Sequence, residues 1–385
     1  MKILSFSFTD KTRNWSLNEM VINKLTLLVG ASGVGKTQIL KALVALKEIA
    51  AGNSLNGVSW NVVFETIEKK KYTWKGEFET KDISIFIEDD DDNENTANKP
   101  KIVYETLILN ENEIVVDRNS EGILFLGKPT IKLSPEKSIV NILKEEDSVK
   151  PAFEALKKIQ FSDQTGSVNA PQGIRVGLLN ANKLLKKYNT LKKIQESDHD
   201  ITSKLFWTSK SDMKIFNTIK ERFCDIFPQV EDLKVAPLDT KDKDMPDFFK
   251  DYPFVQIKEQ QVDKWIEQSR ISSGMYRTLL HISELYLCSE GTVFLIDEFE
   301  NSLGINCINE ITSDILKSKR QLQFILTSHH PYIINSINFN NWKLVTRNAG
   351  IIKTHDVTKF NIGKSKHDAF MQLIQLEEYQ TGTEQ

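Results

Sequence analysis

Three short runs of apolar residues are the clearest feature of the hydrophobicity pattern. They cover residues 25–29, 292–296 and 323–328, and polar or glycine-rich residues bound each of them. Runs of this length and uniformity indicate strands that are buried on both faces, as in a parallel sheet. Residues 38–47, after the first run, carry apolar residues at helical spacing. We therefore predict an α/β fold with a helix directly after the first buried strand.

A different pattern follows that helix. Between residues 72 and 126, apolar and polar residues alternate, and short polar turns separate the segments. Alternation is typical of half-buried strands, so this stretch predicts an antiparallel β subdomain flanking the parallel sheet. The predicted strands are residues 72–79, 83–87, 102–109, 114–118 and 123–126.

From about residue 138 to residue 227 the apolar spacing becomes helical, which predicts a short helical insertion. Strand-like runs at 342–346 and 351–353 and a final helix around 369–374 follow near the other end. We predict three segments, residues 1–137, 138–250 and 251–385. The apolar stripes of the insertion are Ile142, Phe153, Leu156 and Ile159; Leu184, Tyr188, Leu191 and Ile194; and Phe216, Ile219, Phe223 and Phe227 before Pro228.

Composition narrows the class of protein. The chain has 385 residues, of which 40% are hydrophobic, and this is enough for a large core. Its formal net charge of −3 predicts no general attraction to nucleic acid. No run approaches the roughly eighteen apolar residues of a membrane span, so we expect a cytoplasmic protein without a membrane partner. The scattered Cys224, Cys288 and Cys307 indicate neither a zinc site nor a disulfide framework.

The first buried strand is followed by a glycine-rich loop of the Walker A type, residues 30–37. Such a loop turns its backbone N–H groups and the next helix N-terminus toward phosphates. Lys36 is expected to reach the β- and γ-phosphates of ATP, and Thr37 to ligate Mg²⁺. The predicted phosphate-binding residues are Gly30, Ser32, Gly33, Gly35, Lys36 and Thr37.

The second and third buried runs end in polar groups that complete a hydrolytic site. Asp297 and Glu298 directly follow the second run, as in a Walker B motif. Asp297 is expected to hold Mg²⁺, and Glu298 to act as the general base that polarises the attacking water. The third run is followed by His329 and His330, and a histidine placed there can hydrogen-bond the γ-phosphate.

Together these motifs resemble the ABC-type, AAA-family ATPase heads of SMC, RecF and overcoming-lysogenization-defect proteins. The nearest likeness is to the stand-alone ATPases of bacterial anti-phage systems of the Septu, retron and PARIS types. Residues 272–277, Ser-Ser-Gly-Met-Tyr-Arg, resemble the signature motif of this group. ABC-transporter signatures usually have glycine and glutamine where this chain has Ser273 and Met275, which disfavours a transporter subunit.

The resemblance implies further roles. Ser272 and Gly274 would bind the γ-phosphate of ATP that is held by the other protomer, so a homodimer or a higher even-numbered oligomer is expected. The spacing to the following proline favours His329 over His330 as the switch histidine. Gln160 and Gln164 are both candidates for the metal-sensing glutamine of the Q-loop, and Gln164 is preferred because Gly166 and Ser167 indicate a loop there.

Two functions remain open at this stage. The first is an ATP-dependent sensor and scaffold for a separate effector, a nuclease or a toxin, in anti-phage defence. A separate effector is expected because too few residues follow His330 for the nuclease domain of overcoming-lysogenization-defect proteins. The second is a RecF-like repair ATPase that binds DNA directly, in which Lys186, Lys187, Lys192 and Lys193 would contact phosphates.

Overall fold

The structure is a computed structural model that describes residues 1–81, 99–162, 184–237, 252–300, 313, 315, 319–360, 362 and 366–383. The predicted strand at 83–87 lies outside these ranges. Within them, the strands are β1 (Lys2–Asp10), β2 (Trp15–Val21), β3 (Leu25–Val29), β4 (Val58–Glu65), β5 (Lys71–Phe78), β6 (Ile102–Leu109), β7 (Glu113–Arg118), β8 (Ile123–Phe125), β9 (Lys128–Pro129), β10 (Ile159–Ser162), β11 (Val230–Pro237), β12 (Pro253–Glu259), β13 (Ile266–Glu267), β14 (Val293–Ile296), β15 (Gln323–Thr327), β16 (Trp342–Asn348) and β17 (Ile351–Asp356).

The α-helices of the same ranges are α1 (Lys36–Ala50), α2 (Ile139–Ile142), α3 (Lys150–Leu156), α4 (Leu191–Gln195), α5 (Ile201–Ser211), α6 (Met213–Ile226), α7 (Ser273–Leu287), α8 (Pro331–Ser336), α9 (Lys366–Leu373) and α10 (Glu377–Thr381). Short 3-10 helices lie at Gln268–Arg270, Phe339–Asn341 and Val357–Phe360. No helix of the described residues is long and apolar enough to cross a membrane.

The chain divides into two compact units. Unit 1 contains residues 1–162, 291–298 and 320–385, and unit 2 contains residues 163–290 and 299–319. Helices α4 to α6 of unit 2 lie in the sequence between β10 and β14, which are hydrogen-bonded neighbours in unit 1. The helical segment is thus inserted between two adjacent strands of unit 1, as the fold prediction required. The division into three segments remains a prediction.

Unit 1 is built on one large sheet. Across its described strands the order is β10-β14-β15-β3-β16-β17-β2-β1-β4-β5-β6-β7-β8-β9. The strands from β10 to β16 are parallel, and those from β2 to β9 form the antiparallel meander. This arrangement confirms the α/β class and the antiparallel subdomain. The two parts are continuous, because β17 pairs with β2 in parallel.

The parallel part has the apolar strands that its uniform runs predict. All residues of β3, β14 and β15 are buried. Helix α1 covers the sheet with an apolar face that includes Ile39, Leu43 and Leu46, each fully buried. Burial of each such side chain stabilises the fold by roughly 1.5–3 kcal/mol. Helix α1 and its preceding strand are therefore fixed on each other, and so is the loop between them.

One stripe assignment is wrong. Ile159 does not continue the predicted helical stripe: it begins β10 and pairs in parallel with Val293 of β14. An isolated apolar residue after a helix does not reveal such a pairing, because the partner strand lies more than a hundred residues away in the sequence. The stripe of α6, in contrast, is confirmed: Phe216, Ile219 and Phe223 are all buried.

Unit 2 contains α4 to α7 and a small sheet in the order β11-β12-β13. Tyr188 stacks on Trp207 of α5, with ring centroids 4.4 Å apart. The imidazole of His199 lies edge-on to both rings, and its Nε2 is 3.1 Å from the Tyr188 hydroxyl. These three side chains form an aromatic cluster that joins α5 to the chain before α4.

Candidate nucleotide-binding site

The loop that is predicted to bind phosphate joins β3, which ends at Val29, to α1, which begins at Lys36. Gly35 is the N-cap of α1, with a left-handed φ of 103°, and it provides no side-chain cap for the first turn. The N–H groups of the first helical turn therefore point out of the helix without a side-chain acceptor at the cap. An anion is the natural partner of such a helix terminus. Thr37 lies in this turn and is half-buried.

Gly30 allows the chain to pass close to the backbone of β16 where the loop leaves β3. Its φ is 143°, and a Cβ placed on it would lie 2.6 Å from the backbone oxygen of Val345 in β16. A side chain at residue 30 would push β3 away from β16, so the loop start depends on glycine.

Lys36 lies inside the curve of the loop. Its side chain is 6% exposed, and its Nζ donates hydrogen bonds to the backbone oxygens of Gly30 (2.9 Å) and Ala31 (2.8 Å). The ammonium group is thus held among the backbone groups that the sequence assigns to phosphate binding. A positive charge at this place and the helix N-terminus both favour an anionic ligand.

The two acids of the Walker B motif lie at the same edge of the sheet. Asp297 and Glu298 follow the carboxyl end of β14, and β15 alone separates β14 from β3. Parallel strands two positions apart are roughly 10 Å apart, so the acids and the loop face one region above the sheet edge. Asp297 is half-buried, and Glu298 is exposed.

Thr327, the last residue of β15, connects the two acids. Its hydroxyl donates a 2.5 Å hydrogen bond to Oδ1 of Asp297 and accepts a 2.7 Å bond from the backbone N–H of Glu298. Glu298 has a left-handed φ of 45°, an uncommon conformation for a residue with a side chain. The sequence prediction missed Thr327, because it reads as part of an apolar run. Its only signal was a hydroxyl residue at the end of a buried strand.

The two histidines after β15 differ in their surroundings. His330 is the N-cap of α8, and its Nδ1 accepts a 3.2 Å hydrogen bond from the N–H of Tyr332. His329 is exposed and lies directly after Ser328, at the same edge of the sheet as Thr327. The hydrogen bond gives His330 a structural role, and the choice of His329 as the switch histidine stays a prediction.

A cavity of about 370 Å³ lies at this same edge of unit 1. Its walls are the turn between β1 and β2 and the turn between β16 and β17, which both lie at the carboxyl end of β16. Trp15 contributes to the wall but is 6% exposed, and its ring packs on Phe8 at 5.5 Å. The lining residues are Thr9, Asp10, Lys11, Asn14, Trp15, Ser16, Ala349, Gly350 and Ile351.

The signature residues belong to unit 2. Ser272 is the N-cap of α7, and its hydroxyl accepts a hydrogen bond from the N–H of Met275. Ser272 and Ser273 are exposed, and Gly274 is half-buried. Helix α7 is 15 residues long, so it presents a complete N-terminus at these residues. Tyr276 anchors this end to α5, because its hydroxyl lies 3.4 Å from Thr202 Oγ1.

The structure describes one of the two candidate glutamines of the Q-loop. Gln164 is outside the described residues, whereas Gln160 lies within β10, opposite Phe294 of β14. The preference for Gln164 therefore stays a prediction.

The donor set suits ATP with Mg²⁺. Mg²⁺ prefers hard oxygen ligands and usually keeps several waters, so one or two protein oxygens suffice beside the phosphates. Thr37 Oγ1 and the carboxylate of Asp297 provide such oxygens at one sheet edge. The described residues hold no cluster of three or more His, Cys, Asp or Glu side chains that is suited to a metal.

The strand order and the loop before α1 form the α/β fold that the sequence predicts, that of a P-loop NTPase of the ABC-ATPase head type. Residues 179–335 match the sequence profile of a family described as "AAA domain, putative AbiEii toxin, Type IV TA system". A search of curated protein sequences gave no match.

Several solved SMC heads are similar in structure. One, bound to the C-winged helix domain of ScpA, has 12% identity and a TM-score of 0.49, over 92% of this chain and 98% of that chain. A second, from Pyrococcus furiosus, has an extended coiled coil and is bound to the C-terminal domain of ScpA. It has 12% identity and a TM-score of 0.48, over 94% of this chain and 98% of that chain. The SMC head domain from Thermotoga maritima has 11% identity and a TM-score of 0.41, over 92% and 99%.

Proposed function

We propose that the protein binds and hydrolyses ATP with Mg²⁺. The observation that carries this proposal is the convergence of three groups at one edge of the sheet. They are the uncapped N-terminus of α1 with Lys36, the Asp297–Glu298 pair that Thr327 holds, and the cavity beside Trp15.

Each group has a role in this proposal. Lys36 and the loop N–H groups bind the β- and γ-phosphates, and the cavity takes the nucleoside. Thr37 and Asp297 hold Mg²⁺, with Gln164 as a further ligand. Glu298 orients and deprotonates the attacking water, and its exposure leaves its carboxylate accessible to that water. His329 donates a hydrogen bond to the γ-phosphate.

We further infer that two protomers close around two ATP molecules. Ser272 and Gly274 at the exposed N-terminus of α7 would then bind the γ-phosphate held by the partner, because a helix N-terminus attracts anions. The ATP-bound dimer would hold or release a separate effector, a nuclease or toxin, in bacterial anti-phage defence. This last step rests on the motif resemblance alone.

Light scattering on the Glu298→Gln variant tests the sandwich. The variant should bind ATP without hydrolysing it, so its mass should double with ATP and Mg²⁺. Lys36→Ala should prevent the rise by blocking ATP binding. Ser272→Arg should prevent it while ATP binding persists. The trans role of Ser272 would be contradicted by two results together: the mass of every variant is the same with and without nucleotide, and Ser272→Arg hydrolyses ATP at the normal rate.

The RecF-like alternative has one supporting observation. Lys186, Lys187, Lys192 and Lys193 are all exposed in unit 2. Under this alternative, DNA stimulates ATP turnover, and changing the four lysines to glutamine abolishes the stimulation without altering basal turnover. Under the effector-scaffold function, DNA leaves turnover unchanged in both proteins.

A further inference from the structure

The segment formed by α10 and Gly382 lies against the phosphate-binding loop. Gly382 ends α10 in a left-handed conformation, with a φ of 75°. A Cβ placed on it would overlap Cγ1 of Val34 and would lie 3.2 Å from Cβ of Ala31. Both neighbours belong to the loop of residues 30–37. A residue almost 350 positions away in the sequence thus reaches the loop with its backbone.

Backbone hydrogen bonds fix Gly382 from two sides. Its N–H donates to the oxygen of Glu378 (3.0 Å), and its own oxygen accepts a 2.7 Å bond from the N–H of Arg347 in β16. Gly382 therefore has little freedom to retreat from Val34 without breaking one of these bonds.

Arg347 extends the connection to α1. Its Nη1 donates a 2.9 Å hydrogen bond to Oε1 of Gln38, in the first turn of that helix. Through its amide and its guanidinium group, Arg347 ties α10 to the helix that begins the phosphate site. The segment of residues 377–383 thus lies against the loop at Ala31 and Val34 and is linked through Arg347 to Gln38, directly after the loop.

Val34 is the contact through which this segment acts on the loop. It is 4% exposed and stands between Gly33 and Gly35, whose φ angles are 83° and 103°. Two left-handed glycines flanking it give the loop few internal restraints, so the packing of Val34 helps set the direction of the neighbouring N–H groups. Those directions decide how well the loop holds phosphate.

We propose that residues 377–383 brace the phosphate-binding loop and that Gly382 is a positioning residue for nucleotide binding. The proposal rests on the phosphate-binding role of the loop that contains Lys36. It also implies regulation. Because coupling between sites is reciprocal, bound nucleotide stabilises the seated segment, and a partner that displaces residues 377–383 weakens nucleotide binding.

A matched pair of glycine substitutions tests the brace. Gly382→Ala introduces a methyl group at the loop, whereas Gly127 has nearly the same φ, 74°, and no atom within 4 Å of an added Cβ. Gly127→Ala therefore reproduces the backbone strain without the contact. In calorimetry with a non-hydrolysable ATP analogue, Gly382→Ala should bind on the order of tenfold more weakly than Gly127→Ala. Equal affinities would overturn the proposal.

A compensating variant shows whether the effect passes through Val34. Val34→Ala removes the methyl group that the new Cβ would meet. The Val34→Ala/Gly382→Ala double variant should bind nearly as well as Val34→Ala alone. A full additive loss in the double variant would mean that Gly382 does not act through Val34.

Hydrogen exchange without nucleotide separates this proposal from the ATPase function. Exchange of the amides at residues 31–36 should be faster in Gly382→Ala than in Gly127→Ala, whatever the ligand of the loop. If the unaltered protein binds no ATP but this difference appears, the ATPase function fails and the brace stands. If ATP binds but neither exchange nor affinity differs between the two variants, the brace fails.

Discussion

The hydroxyl of Thr327 donates a 2.5 Å hydrogen bond to Asp297, the acid that we assign to Mg²⁺. The same oxygen accepts the N–H of Glu298, so one side chain orients both acids of the motif. Groups that orient metal ligands typically influence affinity or activity by roughly 10- to 100-fold.

Thr327→Val should therefore lower ATP turnover by roughly 10- to 100-fold and raise the Mg²⁺ concentration needed for half-maximal rate. Binding of ATP without Mg²⁺ should change little, and Thr327→Ser should recover most of the rate because it restores the hydroxyl. Thr26→Val is the control. Thr26 lies in the neighbouring strand β3 and is buried like Thr327. Among the described hydrogen bonds, its hydroxyl accepts one, from the N–H of Asn23, and it does not contact either acid. An equal loss in both valine variants would attribute the effect to stability.

The cavity beside Trp15 should bind the nucleoside and not the phosphates. Thr9→Trp places a large ring in the cavity, so ATP affinity should fall by about tenfold or more, equivalent to about 1.4 kcal/mol. Affinity for inorganic tripolyphosphate should stay unchanged, because the phosphate loop is untouched. Lys75→Trp, at an exposed position of β5, serves as the control. Unchanged ATP binding in Thr9→Trp would place the nucleoside elsewhere.

A buried ion pair supports the antiparallel part of the sheet. Glu105 and Arg118 are 1% and 5% exposed, with 3.8 Å between Oε2 and Nη1. Glu105 also accepts hydrogen bonds from Trp74, Ser138 and the N–H of Ile139.

Arg118→Met should lower the free energy of unfolding by about 3 kcal/mol, because it leaves a buried carboxylate without its counter-charge. Urea unfolding measures the loss. The Glu105→Gln/Arg118→Met double variant should lose less than the sum of the single changes, since glutamine needs no counter-charge. A loss below about 1 kcal/mol in Arg118→Met would show that the remaining donors suffice.

The aromatic cluster around His199 should respond to pH. Burial lowers the pKa of His199 below its ordinary value of 6.5. The folded state therefore favours the neutral ring, and the unfolded state binds the proton first as pH falls. The contribution of His199 to the free energy of unfolding is fully present above pH 6.5 and is lost as the pH falls from there through the pKa of the folded state.

The His199→Gln variant should consequently lose less stability than the unaltered protein between about pH 7.5 and 5.5 in urea unfolding. Glutamine keeps a polar group near the Tyr188 hydroxyl but does not titrate. Parallel pH profiles for the two proteins would show that His199 contributes nothing to this dependence.

Local sequence patterns predicted the elements that carry the site. Strand β3, helix α1 and strand β14 were identified because uniform apolar runs and helical spacing are local signals. The wrong assignment of Ile159 and the missed role of Thr327 share one cause. Both depend on strand pairing, Ile159 with Val293 and Ile296 with Leu326, and such registers join residues that are distant in the sequence.

The short helix α10 was missed for a different reason. Its sequence, Glu-Glu-Tyr-Gln-Thr, is polar and too short for an apolar period. What gives it significance is the contact of the next residue, Gly382, with Val34. This contact depends on where the backbone of Gly382 runs in the fold, so the pattern of side chains in the sequence does not predict it.

Among the described strands, one edge of the large sheet of unit 1 is β9, a strand of two residues, Lys128 and Pro129. An edge strand can pair with a strand of another molecule, because its outward N–H and C=O groups are not hydrogen-bonded within the sheet. Pro129 has no N–H to offer, and Lys128 places a charge beside it. Strand-by-strand growth into aggregates is therefore discouraged at this margin.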